Sequence, residues 1–311
     1  MWDKIITMLF LLTLRSGVVF APREKYEQKV VAIEPLSQKT DGYDTSRWSY
    51  RSVESPTTGM RYRYYTTRAD STAPVMVCIH GLFLDGRTFV NLAPYMSDRR
   101  LVALNLPQRS DVYSGTIDDY VTIVVDFIRA LDIRSCTLMG VSFGGIVALR
   151  TAAQCPADLH FDHLVLAASG LPDTTANERN GSRGMREWMN GLEDYQLYWF
   201  VEKVIRFTTR KYGNNDTGQL SIILTVKHPD WYREVAAAIA GYNALDDARS
   251  LTMPVLVLHA RNDIFLDRKT RLIMRTVFPD EQYYTVENSD HTMVLTRAEK
   301  VAAHINRFLV N

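Results

Sequence analysis

The sequence has neither an excess of charge of one sign nor a long apolar run, and each absence excludes a class of function. Its 311 residues include 36 Lys and Arg against 35 Asp and Glu, which gives a formal net charge of +1. A near-neutral chain has no electrostatic reason to bind a polyanion, so nucleic acid is excluded as the default partner. Beyond the N-terminal end, no segment reaches the roughly 18 uninterrupted apolar residues of a membrane-spanning helix. We therefore expect a folded protein with its own hydrophobic core.

Cysteine is also scarce. The three cysteines, Cys78, Cys136 and Cys155, are too few and too scattered for a disulfide framework or for paired metal ligands. Cys78 and Cys136 lie in or beside apolar runs typical of buried strands, where cysteine behaves as a small hydrophobic residue. The sequence thus predicts no metal site and no catalytic cysteine.

Residues 1–21 contain the apolar stretch that bears on localisation. The run at 5–14 follows a lysine and has the length of a signal peptide's hydrophobic region, which is short for a spanning helix. Arg15 interrupts the run, and Pro22 directly follows the best small-residue cleavage point at 19–21. Two interpretations stay open. The chain is exported or contacts a membrane through residues 1–21, or it is cytoplasmic with an amphiphilic N-terminal extension.

After residue 46, strand and helix patterns alternate along the chain. Strand patterns occupy residues 47–54, 60–67, 75–79, 101–106, 137–141, 163–168, 254–258 and 282–286. Helix patterns occupy residues 117–131, 143–154, 268–277 and 297–309. The first two strands are predicted to form a hairpin, because a short Pro- and Gly-containing segment separates them. The alternation that follows predicts an α/β fold with a doubly wound sheet.

The alternation stops between residues 172 and 247, where helical patterns are dense in aromatic side chains. We interpret this segment as a helical cap that is inserted into the chain and packs over the sheet. The α/β domain is then residues 47–171 together with 248–311. Residues 22–46, which are polar and have no sustained period, are predicted to be a connecting arm.

The most informative motif is Gly140-Val141-Ser142-Phe143-Gly144, which lies between a predicted strand and a predicted helix. A sharp turn from strand to helix presents its central side chain above the sheet. Glycines flank that residue because a Cβ in so tight a bend would meet neighbouring backbone. This arrangement is a nucleophile elbow, so Ser142 is the candidate nucleophile.

A serine hydroxyl is a weak nucleophile that needs a general base and a carboxylate to orient the base. Asp263 lies just past a predicted strand, at the end of the sheet where such folds place functional residues. Asp267 is the second candidate acid, and Asp173 is a weaker third. His291 lies in the loop between the last predicted strand and the last helix. The order along the chain therefore predicts a Ser142–His291–Asp263 triad.

Acyl transfer also needs hydrogen-bond donors directed at the developing oxyanion. The backbone N–H of Phe143 is one candidate, because it directly follows the nucleophile at the start of a helix. The second donor should come from the loop after another strand. The segment His80-Gly81-Leu82 directly follows the predicted strand at 75–79. We assign the second donor to the N–H of Leu82. His80 is predicted to stabilise that turn.

On these motifs the chain resembles the serine-nucleophile branch of the α/β-hydrolase fold superfamily, from about residue 62 to residue 309. The His80-Gly81 pair, the elbow around Ser142, the Asp263 loop and the His291 loop match in order. The resemblance implies an eight-stranded, mostly parallel sheet with a helical cap inserted between the sixth and seventh strands, and no cofactor. The Gly-rich oxyanion motif of lipases is absent after His80.

The reaction expected from this resemblance is that of an esterase or thioesterase acting through an acyl-enzyme on a small, largely apolar acyl or aryl substrate. Hydrolysis of a carbon–carbon bond, acyl transfer to an alcohol and amide cleavage use the same triad and stay open. Two alternatives belong to other classes. One is a non-catalytic ligand-binding protein with this fold, and the other is a membrane-tethered scaffold that uses residues 5–14. The oligomeric state is not predicted.

Overall fold

One sheet of eight strands organises the part of the chain that the structure describes. The computed structural model describes residues 23–24, 48–67, 72–82, 84–107, 115–172, 191–196, 229–263, 265–266, 268–279 and 282–310. The strands are β1 (Ser49–Glu54), β2 (Arg61–Thr66), β3 (Val75–Ile79), β4 (Arg100–Asn105), β5 (Ser135–Val141), β6 (His160–Ala167), β7 (Val255–Ala260) and β8 (Tyr283–Val286). Their order across the sheet is β1-β2-β4-β3-β5-β6-β7-β8.

The helices fall between and after these strands. They are α1 (Ile117–Ala130), α2 (Phe143–Ala153), α3 (Pro229–Ala240), α4 (Leu245–Ser250), α5 (Arg268–Val277), α6 (Met293–Thr296) and α7 (Ala298–Val310), with short 3-10 helices at Gly86–Phe89 and Ala93–Tyr95. Strand β1 pairs antiparallel with β2, and β2 pairs antiparallel with β4. The other neighbours pair in parallel. The predicted α/β fold with a mostly parallel sheet is confirmed.

The central strands are buried on both faces, which is why their sequences are continuous apolar runs. In β3, Val77 and Ile79 belong to the core cluster that includes α1 and α2. Met76 and Cys78 point to the other face, where they join the cluster that includes α7. Alternate residues of one strand thus contact helices on opposite sides of the sheet, as a doubly wound fold requires.

The carboxyl ends of the parallel strands hold strained backbone. Ser142, Ala168 and Asn288 follow β5, β6 and β8, and each has a positive φ, of 54°, 47° and 56° respectively. Non-glycine residues rarely adopt this conformation, and they do so mainly where surrounding structure over-determines it, as at functional sites. The strain therefore directs attention to this edge of the sheet.

Several expectations fall on residues that the structure does not describe. Residues 1–21, nearly all of the predicted arm at 22–46 and most of the predicted cap lie outside the described ranges, so the domain boundaries stay predictions. Helix α3 and the start of α4 are described parts of the predicted cap segment. Among the described residues, no helix combines the length and the apolar character needed to cross a bilayer.

Candidate active site

Ser142 occupies the sharp turn between β5 and α2. Its φ of 54° and ψ of −118° lie outside the usual regions for a side chain with a Cβ. The turn is tight enough that a Cβ at Gly140 would overlap the carbonyl group of Gly144, and one at Gly144 would overlap the carbonyl oxygen of Ile79. The Ser142 N–H donates to the carbonyl oxygen of Ala167 at 2.9 Å, which ties the turn to β6.

His291 reaches the Ser142 hydroxyl from the loop between β8 and α6. Its Nε2 lies 2.8 Å from the Ser142 Oγ, and its side chain is 16% exposed. Asp290 holds the loop in place, since its side chain accepts the N–H of Thr292 and its carbonyl oxygen accepts the N–H of Met293. A neutral imidazole in this position can accept the hydroxyl proton.

Asp263 completes a chain of hydrogen bonds on the far side of the imidazole. Its Oδ2 lies 2.8 Å from the Nδ1 of His291, and its side chain is fully buried. Its Oδ1 accepts the N–H groups of Phe265 at 2.8 Å and Leu266 at 3.1 Å. The structure thus brings Ser142, His291 and Asp263 together, whereas the other candidate acids, Asp267 and Asp173, lie outside the described residues.

Asp263 and His291 shift each other's pKa values in opposite directions. Burial alone would raise the pKa of Asp263, but the charge and hydrogen bond of His291 and the N–H of Phe265 hold it below its usual value. Burial alone would lower the pKa of His291, but the charge and hydrogen bond of Asp263, with a contribution from Asp290, raise it. Asp263 is therefore ionised at neutral pH, and His291 is a stronger base than a free imidazole.

Both backbone segments predicted to bind an oxyanion lie beside Ser142. Phe143 begins α2 directly after Ser142. Across the site, Gly81 lies so close that a Cβ there would be 3.2 Å from the Ser142 Cβ and 3.2 Å from the carbonyl oxygen of Val141. The chain at Gly81-Leu82 therefore passes directly by the serine.

His80 holds that segment in place. The Leu106 N–H donates to its Nε2 at 3.1 Å, so its Nδ1 bears the proton and donates to the Gly81 carbonyl oxygen at 2.8 Å. The ring is completely buried, and burial lowers its pKa, which the hydrogen bond to Gly81 only partly offsets. A neutral His80 in this position stabilises the turn, as the sequence predicts.

The sequence reasoning missed two side chains at this site. The Ser169 hydroxyl donates to the carbonyl oxygen of Ser142 at 2.9 Å. The Phe265 ring packs on the imidazole of His291, with ring centroids 4.6 Å apart. Ser169 lies two residues past the end of β6, and Phe265 two residues past Asp263. Their place at the carboxyl ends of strands was the available signal, but only tertiary contacts identify their partners.

His259 is a further titratable group near the site. His259 lies in β7 with 1% of its surface exposed, and within the described residues neither of its ring nitrogens has a hydrogen-bond partner. Burial lowers its pKa to about 4, so the ring is neutral and packs against Tyr283.

The described ranges contain no cluster of three or more His, Cys, Asp or Glu that could hold a metal ion.

The chain is similar in sequence to known hydrolases. The family model described as the alpha/beta hydrolase family matches residues 76–304. The chain is 22% identical over 219 residues to the pimeloyl-[acyl-carrier protein] methyl ester esterase of Nitrosospira multiformis, covering 65% of this chain and 78% of that protein. It is 22% identical over 265 residues to the monoacylglycerol lipase ABHD6 of Bos taurus, covering 76% of each chain.

A solved structure shows the same fold. The bromoperoxidase from Bacillus anthracis matches with a TM-score of 0.68 over 85% of this chain and 100% of its own. The sequence identity is 16%, so this likeness concerns the architecture alone.

Proposed function

We propose that this chain, which belongs to the alpha/beta hydrolase family, is a serine hydrolase that cleaves an ester or thioester of a small, largely apolar acyl or aryl substrate. One observation carries the proposal. Ser142, His291 and Asp263 form a continuous chain of hydrogen bonds, with 2.8 Å between Oγ and Nε2 and 2.8 Å between Nδ1 and Oδ2. This is the arrangement that nucleophilic acyl transfer requires of a serine, its base and the orienting carboxylate.

In the first half of the reaction, the Ser142 Oγ attacks the substrate carbonyl carbon while the Nε2 of His291 takes the hydroxyl proton. The ionised Asp263 holds the imidazole by its Nδ1–H and stabilises the imidazolium that forms. The N–H groups of Phe143 and Leu82 donate to the tetrahedral oxyanion. His291 then gives its proton to the departing alcohol or thiol, which leaves an acyl group on Ser142.

In the second half, a water molecule attacks the acyl-enzyme. His291 takes a proton from this water, and a second tetrahedral intermediate forms at the same oxyanion position. Collapse of the intermediate returns the proton to the Ser142 oxygen and releases a carboxylic acid. No cofactor is needed for either half, because the nucleophile, base and oxyanion donors are all groups of this chain.

The relatives favour carboxylic esters among the substrates open to this chemistry. The protein from Nitrosospira multiformis is named for a methyl ester, and the protein from Bos taurus for a monoacylglycerol. Both names describe an acyl group joined to an alcohol oxygen. Esters of an apolar acyl chain are therefore the first substrates to test.

The test compares the wild type with Ser142→Ala on p-nitrophenyl esters of increasing acyl length. Turnover should fall to the uncatalysed background in Ser142→Ala, and a fluorophosphonate probe should label the wild type but not Ser142→Ala. Ser52→Ala is the matched control, because Ser52 is an exposed serine of β1 and its loss should change neither result. Equal turnover or equal labelling in wild type and Ser142→Ala would refute the proposal. A non-catalytic binding protein would not be labelled in either form.

A further inference from the structure

We infer that Ser169 is a positioning residue that orients the peptide unit between Ser142 and Phe143, and thereby the N–H of Phe143 that faces the oxyanion. The inference deepens the proposed function and rests on it. Ser169 is buried, with 2% of its surface exposed, and its hydroxyl donates to the carbonyl oxygen of Ser142 at 2.9 Å.

The covalent geometry of the peptide bond links this hydrogen bond to the oxyanion. The carbonyl of Ser142 and the N–H of Phe143 belong to one planar unit, and in a trans peptide they point in opposite directions. The described residues contain no cis peptide bond. A donor that fixes the direction of the Ser142 carbonyl therefore fixes the direction of the Phe143 N–H.

The hydrogen bond from the Ser169 hydroxyl to the Ser142 carbonyl also strengthens the Phe143 N–H as a donor. The Ser142 carbonyl accepts the N–H of Gly145 at 2.9 Å and that of Ile146 at 3.4 Å, as the first turn of α2 requires. The Ser169 hydroxyl adds a donor from outside the helix. Each donor on a carbonyl polarises the peptide and strengthens its N–H as a donor, and the effect is greater where water is excluded. Ser169 thus strengthens the Phe143 N–H as a hydrogen-bond donor to the oxyanion.

The chain around Ser169 is built to hold it against the elbow. Ala168 has a φ of 47°, and its N–H donates to the carbonyl oxygen of Leu258 at 2.9 Å. The end of β6 thus places the Ala167 carbonyl on the Ser142 N–H, and the strained turn after β6 places the Ser169 hydroxyl on the Ser142 carbonyl. Ser142 is therefore tied by its N–H to the last residue of β6 and by its carbonyl oxygen to the turn that follows.

Gly145 gives a second, independent observation at this contact. A Cβ on Gly145 would lie 2.5 Å from both the Cβ and the Oγ of Ser169. Any larger residue at position 145 would push Ser169 away from the elbow. The glycine that follows the nucleophile motif therefore has a specific function here, which is to admit the Ser169 side chain.

The test is Ser169→Ala, with Thr151→Val as the matched control. Thr151 lies in the same helix α2, is fully buried, and donates its hydroxyl to the Val147 carbonyl oxygen at 2.8 Å. Each variant thus removes one buried hydroxyl-to-carbonyl hydrogen bond, but only Ser169→Ala alters the peptide next to the oxyanion. Unfolding temperatures of both variants measure the structural cost.

For Ser169→Ala we expect kcat to fall about tenfold, the rate equivalent of one neutral hydrogen bond, with KM within about twofold of wild type. KM should change little because the oxyanion is absent from the bound substrate and forms only in the tetrahedral intermediates and the transition states that lead to them. The rate of fluorophosphonate labelling should fall in parallel. Ser169→Cys retains a weaker donor of similar size and should recover part of the lost kcat.

Two results overturn the inference. Either kcat and labelling of Ser169→Ala fall no further than those of Thr151→Val, or Ser169→Cys is as slow as Ser169→Ala. Failure of the proposed function looks different, because wild type and Ser142→Ala would then have equal turnover. That result would mean that no tetrahedral oxyanion forms at Ser142, so Ser169 could not have the role inferred for it.

Discussion

The Oδ2 of Asp263 lies 2.8 Å from the Nδ1 of His291. The other carboxylate oxygen accepts the N–H groups of Phe265 and Leu266, so Asp263 orients the imidazole and fixes its own loop at the same time. A carboxylate with both oxygens committed has little freedom to rotate. The imidazole it holds is therefore presented to Ser142 in one tautomer, with Nδ1 protonated and Nε2 free to accept a proton.

Asp263→Asn should reduce kcat by about 10³- to 10⁴-fold with the fold intact, because the amide cannot stabilise the imidazolium and favours the wrong tautomer. Steady-state kinetics on the ester substrate, with circular dichroism to check folding, measure this effect. Asp290→Asn is the control. Asp290 is a buried carboxylate next to His291 in sequence, but it accepts hydrogen bonds from Thr292 instead of the imidazole. Its loss should cost less than about tenfold, and a larger loss than that of Asp263→Asn would assign the acid to Asp290.

The pH dependence should report the raised pKa of His291. General-base catalysis needs the neutral imidazole, so kcat/KM rises with pH as His291 loses its proton. Because Asp263 and Asp290 outweigh burial and raise this pKa, the midpoint of the acidic limb should lie above the ordinary value of about 6.5. Asp263→Asn removes the main raising influence and leaves burial, which favours the neutral ring. The midpoint should therefore move to lower pH in that variant.

The measurement is a profile of kcat/KM against pH for the wild type and Asp263→Asn, with a substrate that does not itself titrate. A midpoint that stays in place or moves to higher pH would contradict the assignment of the acidic limb to His291 and its coupling to Asp263.

The elements that the sequence predicted best are those whose signal is local. Strand β3 has its predicted bounds because Pro74 precedes it, an apolar run fills it and the buried turn residue His80 follows it. The glycines around Ser142 identify the elbow for the same reason, since the backbone constraint and the motif lie in five consecutive residues.

Features that depend on distant contacts were not predictable. Ser169 acts on a carbonyl group 27 positions earlier in the chain, and no periodicity records that contact. Nothing in the sequence distinguishes Phe265 from an ordinary loop residue, and its contact with the His291 ring is visible only in the structure. Helix α6, at Met293–Thr296, has only four residues, too few for a helical period to be visible in the sequence.

Gly144→Ala should destabilise the protein by about 3 kcal/mol or more, because the new Cβ overlaps the Ile79 carbonyl oxygen and a buried backbone cannot move aside as a side chain can. Urea unfolding measures the change. Gly241→Ala is the control, since the nearest atoms to a Cβ there are 3.7 Å and 3.9 Å away, an ordinary contact. Its free energy of unfolding should stay within about 1 kcal/mol of wild type. A loss within about 1 kcal/mol of wild type in Gly144→Ala, like that expected of the control, would show that the elbow tolerates a Cβ at position 144.

Among the described residues, Phe265 is an aromatic side chain that lies against the imidazole of His291. Its ring packs against the imidazole of His291 at an interplanar angle of 47°, and 37% of the residue's surface is exposed. An apolar acyl or leaving group bound at Ser142 would bury part of that ring. Burying about 50 Å² of apolar surface contributes roughly 1 kcal/mol at about 25 cal/mol per Å².

Phe265→Ala should therefore raise KM by about fivefold to tenfold on long-chain esters and by less on acetate esters. Tyr95→Ala is the matched control, because Tyr95 is an aromatic residue of similar exposure, 45%, on the 3-10 helix after β3 that contacts α7. KM for each chain length, measured for the three proteins, tests the contact. If KM in Phe265→Ala rises equally for short and long esters, the ring does not bind the acyl chain. If only the long esters are affected, the ring forms part of the acyl-binding surface, and substrate preference can be altered at this single position.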